Sequence, residues 1–333
     1  MWDKQWKTVL NDVLTKGQSV KRTDSKRNIT ELVSYQFHLD DPLDRLLYSE
    51  ARGLNIFQCM GQFLWITQGN FNLEAIKYYQ PISEKFSSDG VRVIGAYGPR
   101  LFGIEHLNQM NHVAHILAED PSKRRAVASI YLPQFDQHEL ANEEVPCTLN
   151  LQYLVRDQKL QTVIYMRSQD AFKVLPYDVF IFTMLQEYLQ NLLKPEHDIT
   201  LGRYNHFAGS FHVYEDDIPK VQEVLGTNSS SDYKMDPMPS KDIKFRLRDL
   251  NKFESTVRTI ISAKIEHGYT VDFNSFFKML NELKDEYWIQ LGLLLICYGA
   301  IQVKDDSNQG LACDKLNPEY KRFVDIYLKK FNV

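Results

Sequence analysis

Leu149, Leu151, Tyr153 and Val155 alternate with polar neighbours, and beyond the turn RDQK the same period of two resumes at Thr162, Ile164 and Met166. That spacing predicts a β-hairpin with one buried face. The opening stretch MWDKQWKTVLNDVLTKG instead predicts an amphipathic helix with charges throughout. ITELVSYQFHL, Ile29 to Leu39, reads as a strand, and an apolar helix runs from about Gly53 to Thr67, closed by the turn-forming QGN. A second helix is predicted from Ile104 to Ala118, ending at EDPSKRR where Pro121 stops it, followed by a β-rich run AVASIYL from Ala126 to Leu132. Pro176 suits a first helical turn, and YDVFIFTMLQEYLQNLL carries that helix to about Leu193. ITLGRYNHFAGSFHVY then reads as a strand reaching Tyr214. Ser, Asn, Asp and Pro dominate the next stretch, so residues 226–243 are expected as a linker or surface loop between a domain at 1–225 and a helical extension at 244–333.

Composition narrows the function classes. The chain has 333 residues with a net charge of -4 and a pI near 6.2, which provides no general field for nucleic acid or an anionic membrane. A small phosphorylated ligand held by local charge fits better than a polymer. Four cysteines, Cys59, Cys147, Cys297 and Cys313, show no CxxC or Cys/His ligand spacing, which argues against structural zinc and a disulfide framework and makes a reducing cytoplasm the expected location. The first helix lacks the apolar core and cleavage site of a signal peptide, and the longest apolar run, Tyr287 to Ile301, is too short to span a bilayer.

The hairpin and the helix after it gather chemistry. VPC places Cys147 ahead of the first strand, MRSQD places Arg167, Ser168 and Asp170 at the end of the second, and LPYD places Asp178 in the first helical turn. A lone cysteine is at home as a small buried hydrophobe. As a nucleophile it needs cationic neighbours that favour the thiolate, and Arg167, folded back by the hairpin, is a candidate. Asp178 alone would also suit the dipole of a helix start.

From about Ser19 to Tyr214 the sequence resembles the thymidylate synthase family, and within it the phage deoxycytidylate hydroxymethylase branch. Its blocks occur in the family's order: KRTDSKR, GAYG, DPSKRR, PC followed by RSxD, and GSFHVY. Thr148 after the cysteine and Met166 before the arginine resemble the hydroxymethylases, since synthases usually carry His and Gln there. The resemblance implies an α+β fold, a mixed sheet packed with helices and forming a homodimer, here with a helical C-terminal extension. It implies Cys147 as nucleophile toward C6 of a pyrimidine nucleoside monophosphate, with Tyr97 near the thiol. Arg22, Arg167, Ser168 and the partner's Arg124 and Arg125 would grip the phosphate, while His212 and Tyr214 would hold the sugar hydroxyl. Asp170 would contact the pterin of 5,10-methylenetetrahydrofolate, the implied one-carbon donor, with Trp65, Tyr78, Tyr79 and Phe86 as stacking candidates.

Asp178 occupies the position where family members acting on uracil carry Asn. A carboxylate accepts from the 4-amino group of cytosine but meets the O4 of uracil acceptor against acceptor, so a cytosine nucleotide, CMP or dCMP, is the expected substrate. Gln62 stands where the family has a glutamate that moves protons at the pyrimidine, and an amide cannot take a proton. Val174 stands where a glycine is usual, and the chain runs on well past Tyr214. C5 hydroxymethylation of a cytosine nucleotide is therefore the leading reading. A nucleotide-binding sensor of the same fold and methylation of a uracil nucleotide stand beside it.

Overall fold

A computed structural model describes residues 1–21, 27–103, 108–137, 145–228 and 231–331. In chain order the elements are α1 (Trp2–Lys16), β1 (Gln18–Val20), β2 (Ile29–Leu39), α2 (Ile56–Thr67), α3 (Leu73–Lys77), α4 (Tyr97–Phe102), α5 (Gln109–Glu119), β3 (Val127–Ser129), α6 (Pro133–Asp136) and β4 (Thr148–Arg156). They continue with β5 (Lys159–Asp170), α7 (Leu175–Leu193), β6 (Thr200–Tyr214), α8 (Ile218–Gly226), α9 (Ile243–His267), α10 (Phe273–Leu280), α11 (Glu286–Gln302), α12 (Asp306–Cys313) and α13 (Pro318–Phe331). Two compact units result, one from Met1–Leu54 with Gly95–Pro237 and one from Asn55–Ile94 with Met238–Val333.

The first unit is α+β. Its six-stranded sheet has the order β1-β2-β6-β5-β4-β3, antiparallel except between β5 and β6. That parallel pair requires a crossover, and α7 supplies it. The predicted hairpin is β4–β5, closed by Asp157 and Gln158 at φ 51° and 56° between the paired Arg156 and Lys159. Two left-handed residues give the hairpin turn whose twist matches the strands.

Burial covers nearly all of α7, so its polar side chains must find partners inside. Gln186 Nε2 donates to Leu160 O at 2.9 Å and Gly202 O at 3.1 Å, and Glu187 pairs with the fully buried Arg45 at 2.7 Å. The apolar side of α1 packs through Trp2, stacked on Phe37 with centroids 5.8 Å apart, and through Trp6, whose Nε1 donates to Ala171 O at 2.8 Å.

Several boundaries depart from the pattern. The Asn55 side chain accepts from Phe57 N and Gln58 N, so this cap starts α2 at Ile56 rather than near Gly53. Asn108 caps α5, which begins at Gln109, and the predicted start at Ile104 falls outside the described residues. β3 ends at Ser129 rather than continuing to Leu132, because Pro133 opens α6. The α8 helix and the short β1 had no counterpart in the pattern, while the described residues between Gly226 and Ile243 contain neither helix nor strand.

The second unit is helical. The long apolar run is the core helix α11, buried from Tyr287 to Ile301 apart from Ile289. Glu254 on α9 ties this unit together, accepting from Tyr79 Oη at 3.0 Å, Gln68 Nε2 at 2.7 Å and Arg258 Nε at 2.7 Å. Gly61 of α2 lies against the Tyr79 ring, where a Cβ would come within 2.1 Å of a ring atom. Cys297 on α11 and Cys313 at the end of α12 meet as free thiols with Sγ atoms 3.0 Å apart. Among the described residues no helix is long and apolar enough to cross a membrane.

Candidate active site

Cys147 sits immediately before β4, and its carbonyl accepts from Arg167 N at 2.8 Å. The hairpin thus brings Cys147 beside the end of β5. Arg167 turns its guanidinium onto the main chain ahead of the cysteine, Nε donating to Pro146 O at 2.9 Å and Nη2 to Val145 O at 2.9 Å. Burial pushes the Cys147 thiol up, Arg167 opposes this, and Asp178 adds to it. Arg167 does act on the thiol in the expected, lowering direction, but burial outweighs the guanidinium, although Cys147 keeps an exposed edge.

Asp178 lies in the first turn of α7, where Pro176 starts the helix. Its Oδ2 accepts from Gln169 Nε2 at 2.9 Å. Burial raises its carboxyl to about 7, with Gln169 opposing and Asp170 reinforcing the shift. Tyr97 belongs to the same cluster: its hydroxyl accepts from Thr148 Oγ1 at 2.9 Å, and its ring stacks on Phe182 of α7 with centroids 6.3 Å apart. Burial pushes the Tyr97 phenol upward, and the charges of Asp178 and Cys147 add to it. Arg100 anchors α4 beneath Tyr97, donating to Ile130 O at 2.6 Å and gripping both oxygens of Asp136 at 2.6 and 2.8 Å.

Ser168 pairs in register with Ser210, and Asp170 with His212, across the parallel β5–β6 ladder. Asp170 Oδ1 accepts from Phe172 N at 2.9 Å and Lys173 N at 2.7 Å, which fixes the turn into α7. Burial raises this carboxyl, against the Lys173 amide and the His212 ring. His212 meets Tyr214 edge to face at 5.2 Å. Arg27, in the KRTDSKR block, stacks over the Tyr214 ring at 3.8 Å while bonding Asp216 and Asp217 at 3.1 and 2.9 Å. Arg52 braces the same turn, donating to Phe172 O at 2.9 Å and Lys173 O at 2.7 Å. Gln169, Arg27 and Arg52 were missed at the sequence level, since none carries a motif of its own; Arg27 and Gln169 lay within blocks already singled out, KRTDSKR and MRSQD, and Arg52 did not.

Other expected residues lie apart. Arg124 and Arg125 project from the loop before β3, lining an open concavity of about 580 Å³ with Ser122 and Lys123. Neither forms a salt bridge with a carboxylate among the described residues. The register Val127↔Gln152 places Arg125 opposite Leu154. At about 3.3 Å per residue, that is roughly 20 Å along β4 from Cys147, so these arginines do not reach the thiol of their own chain. Gln62 and Trp65 belong to the second unit, where Gln62 Nε2 donates to Gln80 Oε1 at 2.6 Å and Trp65 Nε1 to Asn72 O at 3.2 Å. Tyr78, Tyr79 and Phe86 are in that unit too, with Tyr79 committed to Glu254. Val174 is exposed at the start of α7. Arg22 lies outside the described residues.

The thymidylate synthase family model matches residues 4–261. A deoxyuridylate hydroxymethyltransferase of Bacillus phage SP01 is 28% identical over 318 residues, covering 86% of this chain and 81% of that protein. Another deoxyuridylate hydroxymethyltransferase, from Delftia phage PhiW-14, is 26% identical over 78% of this chain and 73% of its own length. A thymidylate synthase of Francisella philomiragia is 23% identical over 59% of this chain and 74% of its own. The thermostable thymidylate synthase A of Bacillus subtilis shares the fold, with a TM-score of 0.59, 20% identity, and coverage of 69% of this chain and 86% of that one. With Cys147, Arg167 and Asp178 gathered on one hairpin and its following helix, and with the family model spanning most of the sequence, the chain belongs to the thymidylate synthase family, which transfers one-carbon units to C5 of pyrimidine nucleotides.

Proposed function

We propose that this protein hydroxymethylates C5 of a cytosine nucleoside monophosphate through a covalent Cys147 adduct, as a homodimer in which Arg124 and Arg125 serve the partner's site. The observation that carries the reading is Asp178, a buried carboxyl beside Cys147 and Tyr97 with one oxygen bound by Gln169. Its other oxygen can accept from the 4-amino group of cytosine, and it repels the O4 of uracil when ionised.

Arg167 and Ser168 would bind the phosphate, and His212 and Tyr214 the sugar hydroxyl. Addition of the Cys147 thiolate to C6 forms an S–C bond and moves the C5=C6 electron pair onto C5, which becomes nucleophilic. Departure of the thiolate after C5 has lost its proton restores the ring. Bidentate guanidinium contacts and a fixed base edge hold C6 over the sulfur, which is how binding energy becomes rate. Methylenetetrahydrofolate, when bound, would supply the one-carbon unit and leave as tetrahydrofolate, and a water would supply the hydroxyl oxygen. Asp170 fits it: Oδ1 is taken by the turn amides, and Oδ2 stays available to accept from a pterin N–H.

A second reading, deoxyuridylate as substrate, is favoured by the names of the two phage relatives. Asp178 offers a physical route, because a carboxyl raised to about 7 is partly neutral at physiological pH. A neutral carboxyl presents one donor and one acceptor, as an amide does. Incubating the protein with methylenetetrahydrofolate and, separately, CMP, dCMP, UMP and dUMP, then weighing the products, decides between them. A hydroxymethyl gain on the cytosine nucleotides supports the first reading, and a gain confined to dUMP replaces it with the second.

A further inference from the structure

The geometry points to Gln169 as the residue that sets base discrimination, by holding Asp178 so that a single acceptor oxygen faces the pyrimidine. This rests on the reading above that Asp178 meets the base. Gln169 is 1% exposed, and its Nε2 donates to Asp178 Oδ2 at 2.9 Å and to Asp170 O at 3.3 Å. Two anchors on one amide nitrogen fix the side chain's orientation. Its Oε1 is buried with no hydrogen-bond partner among the described residues, a cost the fold bears to keep the nitrogen turned toward Asp178.

Occupying Oδ2 has two consequences. The carboxyl cannot swing to offer both oxygens to the base, so Oδ1 alone makes the contact. The donated hydrogen bond also favours the ionised, acceptor-only form that separates cytosine from uracil, against the burial and the Asp170 charge that favour the neutral form. Other titratable groups interacting with Asp178 come from Cys147 before β4, Tyr97 on α4 and Tyr204 on β6. None is a cation, which leaves Gln169 as the group at hydrogen-bond distance from the carboxylate among the described residues.

The test is equilibrium binding of dCMP and dUMP to the full chain from pH 5.5 to 8.5, for wild type, Gln169→Leu, Gln169→Glu and Asp178→Asn. Gln169→Leu keeps the volume and removes the donor, and it is expected to cut the preference for dCMP over dUMP about tenfold, the scale of one hydrogen bond to a charged group. The pH at which that preference develops is expected to move upward. Gln169→Glu, nearly isosteric and a second safeguard against misfolding, is expected to move it upward further. If Asp178→Asn changes the base preference while both Gln169 variants leave the preference and its pH profile as in wild type, the role of Gln169 is overturned and the base-reading role of Asp178 stands. If Asp178→Asn changes nothing, the underlying reading fails.

Discussion

The main-chain N–H of Arg167 donates to the carbonyl of Cys147 at 2.8 Å, so Cys147 and the end of the strand that carries Arg167 and Ser168 are joined by backbone. The guanidinium is spent partly on the carbonyls of Val145 and Pro146 and only partly on the thiol's charge. Alkylation of Cys147 by iodoacetamide, followed against pH by mass spectrometry, is therefore expected to show a midpoint above that of an exposed cysteine. Arg167→Leu should raise the midpoint further, because the guanidinium is what lowers it. A midpoint below that of an ordinary thiol in the free protein would contradict this electrostatic account.

Asp178 makes stability depend on pH in a fixed direction. Its folded pKa, about 7, lies above the unfolded value of 3.8, so the folded state binds more protons in between, and its contribution is full below pH 3.8 and lost as pH rises through 7. Asp178→Asn abolishes that loss. Between pH 5 and pH 8 the wild type should lose on the order of 2–4 kcal/mol relative to this variant, measured by urea unfolding at both pH values. Equal pH dependence in the two proteins would contradict the raised pKa.

Arg124 and Arg125 lie roughly 20 Å along β4 from the Cys147 of their own chain, with no salt bridge to a carboxylate among the described residues. Mixing the inactive variants Arg125→Ala and Cys147→Ala is expected to restore about a quarter of wild-type turnover, because half of the reassorted dimers carry one intact site. Zero recovery after verified subunit exchange would place the arginines in their own chain's site or in none.

The hairpin and α7 were legible because their patterns are strong. Period-two alternation from Leu149 to Met166 needs one buried face, and Pro176 marks a helix start that tertiary packing had no reason to move. The parallel pairing of β5 with β6 was not legible, since partner choice depends on where α7 packs and not on either strand's own residues. In the site, Cys147, Arg167 and Asp178 stood out through their motif. Gln169 did not: a buried glutamine reads as ordinary strand until its partner across the turn is known. The net upward shift of the Cys147 thiol was not legible for a related reason, because charge neighbours can be read from spacing and desolvation cannot.

Arg45 and Glu187, both buried, form a 2.7 Å pair beneath α7. Glu187→Leu strands the guanidinium and should cost about 3–5 kcal/mol, whereas Arg45→Met combined with Glu187→Leu should cost far less. Chemical unfolding of the wild type, both single variants and the double variant closes the cycle, and a double loss equal to the sum of the two single losses would show that the pair is not coupled.

Release of tritium from C5 of a cytosine nucleotide tests most directly whether Cys147 activates the pyrimidine. With methylenetetrahydrofolate present, wild type is expected to release the label as hydroxymethylated product forms, and Cys147→Ser, which keeps shape and loses the thiolate, is expected to release none above background. Release by Cys147→Ser at the wild-type rate would contradict the account.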